Sequence, residues 1–155
     1  MFGKRAALVA LLTAGLVVGV IAVASGSPGS GFSSVPIARG QSGHVFAVVQ
    51  HKGNDVVTAQ NRADPGGFTG WHSHPGIAVV VLQAGQVTVY SERVGGGKCR
   101  VHTYSAGQVF LERPHNEENV VNTGGVPEQA GVTFFNVPHG ASARIDRPDP
   151  GDCPG

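Results

Sequence analysis

From Asp55 onward the chain alternates short runs of apolar and β-branched residues with clusters of Gly, Pro, Asn, Asp and Ser. DVVTAQN, IAVVVLQ, QVTVYSERV, CRVHTY, QVFLE, NVVN and GVTFFNV are each too short for an ordinary helix, and most carry the every-second-residue apolar pattern of a half-buried strand. Turn-forming stretches separate them: ADPGG, AG, GGGK, SAG, TGG and PHG. HVFAVVQH, ahead of KGND, reads as one more strand. About eight strands with no 3.6-residue period between them predict an all-β barrel or sandwich. A parallel sheet would need crossover helices, and the pattern leaves no room for them.

Residues 1–24 break this pattern. MFGKR is basic, Ala6 to Ala24 is almost uniformly apolar, and small residues close the run before a Ser/Gly/Pro-rich stretch. That order is the layout of a signal peptide, with Ala24 as the cleavage point. The run is also nearly long enough to cross a bilayer as a helix, so an uncleaved signal anchor is the alternative. Lys4 and Arg5 hold the N-terminus on the cytoplasmic side in both cases. Either reading predicts an extracytoplasmic protein, secreted or membrane-anchored through its N-terminal segment alone. Residues 25–36, SGSPGSGFSSVP, read as a flexible linker, and residues 37–155 as one domain.

Composition narrows the partners. Lys plus Arg number 11 against 10 for Asp plus Glu, so no net field is available to attract nucleic acid. The chain has 2 cysteines, and in an exported protein that even pair predicts a disulfide, Cys99 to Cys153, fastening the tail to the turn after GGGK. GGGKC is not a phosphate loop: Glu92 stands where the first glycine must be, and Cys99 replaces the Ser/Thr. No serine elbow and no H-E-x-x-H motif is present.

The chemistry concentrates in GWHSHPG, residues 70–76. Residues i and i+2 of a strand share a face about 7 Å apart, so His72 and His74 can direct both imidazoles at one metal ion. Trp71 reads as a packing residue at the barrel end with its N–H on a carbonyl, or as a residue bordering a ligand.

These residues resemble the cupins, double-stranded β-helix (jelly-roll) barrels with two motifs. Gly66, His72, His74 and Gly85 fall on the first motif, with Ala78 where its glutamate stands. Counting from Gly107, the second motif lands on Arg113, His115, Glu118 and Asn122, where its proline, glycine, histidine and asparagine are expected. TGWHSHPG and RPDPGDCP look like a subgroup of exported bacterial cupins, and the resemblance covers about Ile37 to Pro154. It implies a metal site of His72, His74 and Glu118, with His115 as the alternate in a shifted register, Glu117 a weaker one, and Asn122 beside it. Two histidines and a carboxylate suit Fe(II) and accept Mn, Ni or Zn. The resemblance further implies a metal-dependent dioxygenase or isomerase acting on a small polar substrate, and a homodimer. A non-catalytic extracellular module that binds a small ligand or a metal is the alternative.

Overall fold

Inward-facing residues at every second position build two sheets that close on one apolar interior. The computed structural model describes residues 30, 35–92, 99–151 and 153, and all but the first belong to the compact unit Val35–Gly155. The expected leader and most of the linker lie outside the described residues, as does the GGGK loop. Among the described residues no helix is long and apolar enough to cross a membrane.

The strands are β1 (Gln41–Ser42), β2 (Asn54–Ala63), β3 (His72–Ser73), β4 (Ala78–Ala84), β5 (Gln86–Glu92), β6 (Arg100–Ser105), β7 (Gln108–Glu112), β8 (Glu117–Asn122), β9 (Glu128–Pro138) and β10 (Ile145–Asp146). One sheet has the order β1-β7-β4-β9-β2 and the other β10-β3-β8-β5-β6. All pairings are antiparallel except β1 with β7. This is the all-β double-sheet barrel that the turn spacing predicts.

The core follows from strand parity. In β4, Ala78, Val80 and Leu82 are buried while the residues between them are only partly so. Val87 and Val89 of β5, Phe110 of β7, and Ala130 and Val132 of β9 complete the cluster, with Tyr104, Val120 and Phe134 packed against it. Tyr104 stacks on Phe110 with ring centroids 4.6 Å apart, which bridges the two sheets at the β6/β7 side. Between β4 and β5, Gly85 adopts φ 77°, and a Cβ there would come within 2.9 Å of Glu128 Cα. Only glycine fits that turn.

One expected strand is absent. Residues 44–51 have a β-prone sequence but no ladder partner, and Val45, Phe46 and Val49 are exposed. Strand propensity measures fit to a half-buried pleated surface, and without a neighbour it forms nothing. Cys99 and Cys153 form the expected disulfide, with Cα atoms 5.2 Å apart.

Candidate metal centre

Residues 70–78 form a short connection between two sheets. Gly70 has φ 72°, His72 pairs with Asp146 of β10 on one side and Glu118 of β8 on the other, and Pro75–Gly76 turns the chain into β4. A side chain on Gly76 would run into the Phe135 carbonyl, so the turn lies directly on β9. His72 and His74 are buried, at 4% exposure each, with their rings edge-to-face at 4.9 Å.

Their hydrogen bonds set which nitrogen points inward. His72 Nδ1 lies 2.9 Å from the Gly70 carbonyl and His74 Nδ1 2.6 Å from the Ala143 carbonyl. A carbonyl can only accept, so Nδ1 carries a hydrogen in both rings, and each Nε2 is the nitrogen left to ligate when its ring is neutral. These nitrogens converge on a carboxylate. Ligand atoms of His72, His74 and Glu112 all lie within 4.8 Å of one another, and all three residues are buried. His74 Nε2 is 2.9 Å from Glu112 Oε2, yet the geometry is not that of an aligned hydrogen bond.

Glu112 is the candidate ligand that motif counting passes over. It ends β7 directly opposite Ala78, the position at which the first motif lacks its glutamate. Directly opposed residues on antiparallel strands lie about 5 Å apart at Cβ and share a face. Glu112 therefore delivers a carboxylate to the interior from the neighbouring strand. A sequence signal exists: Gln108, Phe110 and Glu112 share parity, so a core Phe110 turns Glu112 inward.

The other expected residues are placed as follows. Glu118 is buried at 5% exposure on the interior face, but it lies outside the His72–His74–Glu112 group and lines a second cavity, of about 580 Å³, at the β6/β7 side. It accepts the Arg113 backbone N–H, while its Oε2 has no hydrogen-bond partner among the described residues. His115 is exposed, in a left-handed turn conformation (φ 60°), and only its backbone N–H reaches inward, to the His74 carbonyl at 2.9 Å. His115 itself lies in the turn with Pro114 that joins β7 to β8, and its imidazole is on the solvent side. Glu117 is half-buried and faces Arg147 at 3.9 Å. Asn122 is buried, lines the cavity that the histidine pair faces, and donates to the Ala63 and Val126 carbonyls, which ties the end of β8 to the end of β2 and to the β8–β9 connection. Trp71 is buried but lines neither cavity, and its Nε1 has no acceptor among the described residues, contrary to the carbonyl bond expected for it.

The electrostatics reflect burial and crowding. Burial lowers the His72 pKa, with the nearby Arg144 charge acting the same way. In His74 burial also disfavours the charged form, but the adjacent Glu112 outweighs it and the net shift is upward. Burial, together with the charge of Glu112, pushes Glu118 up to about 9. Two carboxyl groups thus share an interior that favours charge on only one of them.

The group faces a cavity of about 500 Å³. Val80, Val87, Val120, Ala130 and Val132 form an apolar wall, while Asn61, Arg62, Glu128 and Arg144 add polar groups. Arg144 donates from Nε to Asp146 at 2.7 Å and from Nη2 to the Thr69 carbonyl at 2.8 Å.

No family model and no curated protein matches the sequence. Solved structures do match. An oxalate oxidase aligns at TM-score 0.51 and 21% identity, over 59% of this chain and 45% of that one. The oxalate decarboxylase of Bacillus subtilis, described with Mn(II) centres, aligns at 0.53 and 21%, over 60% and 24%. That of Lactobacillus farciminis, a formate complex, aligns at 0.52 and 20%, over 60% and 27%. The chain therefore spans less than half the length of each of these proteins.

Proposed function

We propose that this chain, which has the cupin fold, is an exported metal-dependent enzyme that binds one divalent transition ion through His72, His74 and Glu112 and acts on a small polar substrate in the adjoining cavity. The observation that carries the reading is the convergence of two imidazoles and a carboxylate, all buried, with ligand atoms within 4.8 Å of one another. Buried polar atoms are normally hydrogen-bonded, and the close but poorly aligned contact between His74 Nε2 and Glu112 is one that a shared cation would satisfy. Histidine and carboxylate donors fit Fe, Mn, Ni or Zn and leave the choice among them open.

The binding-module alternative predicts a closed or wholly apolar site. The cavity supports the enzyme reading instead, because three protein ligands leave coordination positions free and polar groups stand in the same space. When bound, the ion supplies Lewis acidity towards a substrate oxygen, the basis for dioxygenase or isomerase chemistry. The Gly70 and Ala143 carbonyls hold the two rings in their ligating tautomers. Arg144 sets a positive charge beside both rings, which disfavours their protonation and attracts an anionic substrate oxygen. The valine-rich wall excludes water from that oxygen. Export rests on the residue 1–24 pattern and is supported by the Cys99–Cys153 disulfide, which an oxidising compartment favours.

Metal-loaded protein titrated with acetohydroxamate, a small bidentate oxygen ligand, tests the open positions. Saturable 1:1 binding that disappears after metal removal is the expected result. A loaded protein with no affinity for acetohydroxamate would return the chain to the class of closed binding modules.

A further inference from the structure

We propose that Arg147 is a positioning residue for the His72–His74 pair, a role that rests on the metal-centre reading above. Three contacts place it there. Its backbone N–H donates to the Trp71 carbonyl at 3.0 Å, and its Nε donates to Ser73 Oγ at 2.9 Å. Its guanidinium also lies 3.9 Å from Glu117 Oε1 of β8. Trp71 and Ser73 flank His72, and Ser73 is the residue between the two histidines. One arginine therefore fixes both neighbours of His72 and ties them to the strand on the far side.

The register supports the same reading. β3 has only two residues, His72 and Ser73, too short to hold its own geometry, and β10 covers one edge with Asp146 opposite His72 and Ile145 opposite Ser73. The segment leading into β10 provides the Ala143 carbonyl that binds His74 Nδ1. Beyond Arg147 the chain reaches the buried Cys153, locked to Cys99. The C-terminal segment is thus a clasp over the histidine pair, and Arg147 is its contact on either side of His72. Arg147 lines neither cavity, which separates it from residues that meet a substrate. Groups that orient metal-binding histidines typically change metal affinity by about 10- to 100-fold when removed.

The test uses Arg147→Met, with Ser73→Ala as a milder variant that removes one bond and keeps the arginine. Two readouts apply to the purified protein: Co2+ titration followed by the visible d–d spectrum, and 15N imidazole shifts of the metal-free protein, which report the tautomer of each ring. In the wild type both rings should be in the Nδ1–H form. Arg147→Met should bind Co2+ at least about tenfold more weakly with an altered d–d spectrum, and should show mixed tautomers or broadened rings without metal. Ser73→Ala should move both readouts in the same direction by less. A purely structural residue would lower the unfolding midpoint and leave both unchanged. Folded variants with wild-type tautomers and unchanged Co2+ spectra overturn the proposal. If Arg147→Met does not fold, Ser73→Ala alone decides it by the same criteria. Wild-type protein that takes up no Co2+ refutes the metal reading, and the tautomer comparison then still decides the role of Arg147.

Discussion

Ala78 of β4 and Glu112 of β7 are directly paired across two antiparallel strands. The carboxylate that the first motif lacks has an equivalent one strand away, pointing into the same interior. If that is its role, the position of the carboxylate matters more than the strand that carries it. Glu112→Ala should lower metal affinity by at least about tenfold, and adding Ala78→Glu to it should recover part of the loss. Titration of the single and double variants with Mn2+ or Co2+ checks this. Equal weakness of the two would mean that Ala78 does not share the site.

Glu118 predicts a pH dependence of stability. Its carboxyl is raised from 4.5 to about 9 by burial and by Glu112, so the folded state holds a proton that the unfolded state releases. Stability from this group is complete below the unfolded value and falls as pH rises towards 9, by at most about 1.4 kcal/mol per pH unit. In chelator-treated protein, urea midpoints should decline across that window, and Glu118→Gln should flatten the decline. An identical profile in the variant would remove Glu118 as its source.

How far the sequence reached depends on what each residue's placement requires. His72 and His74 are legible because their relation is local: i and i+2 on an extended segment share a face wherever the segment lies. The strands from β4 to β9 are legible for the same reason, since turns and parity are local. For Glu112 only the inward direction is local, through its parity with Phe110; its partnership with Ala78 depends on the register between two strands some 30 residues apart, which no short-range pattern encodes. Residues 44–51 failed in the opposite direction: their strand-like composition is real, but pairing belongs to the fold. His115 lies in the expected turn, where a positive φ carries its side chain out to solvent.

Gly76 predicts a stability effect with a functional consequence. A methyl group there meets the Phe135 carbonyl, a backbone atom that cannot rotate away. Gly76→Ala should destabilise the domain by about 1–3 kcal/mol, as overpacking does, and should weaken metal binding because His74 lies two residues earlier. Thermal unfolding with and without Co2+ measures both effects. A midpoint equal to wild type would place the turn away from β9.

The disulfide should be structural. It closes a 54-residue separation, for which the chain-entropy treatment gives about 4 kcal/mol. Urea unfolding in the presence of dithiothreitol, or of Cys99→Ser with Cys153→Ser, should reveal a loss of that order. Denatured, unreduced protein should contain no reactive thiol, and two thiols in exported material would exclude the bond.

Elemental analysis of the purified domain and its alanine variants tests the central claim most directly. Wild-type protein should contain close to one equivalent of a transition metal, lost in His72→Ala, His74→Ala and Glu112→Ala, and kept in His115→Ala. Full metal in Glu112→Ala together with its loss in Glu118→Ala would contradict the assignment of the carboxylate. A metal-free wild type that takes up no ion on reconstitution would contradict the site altogether.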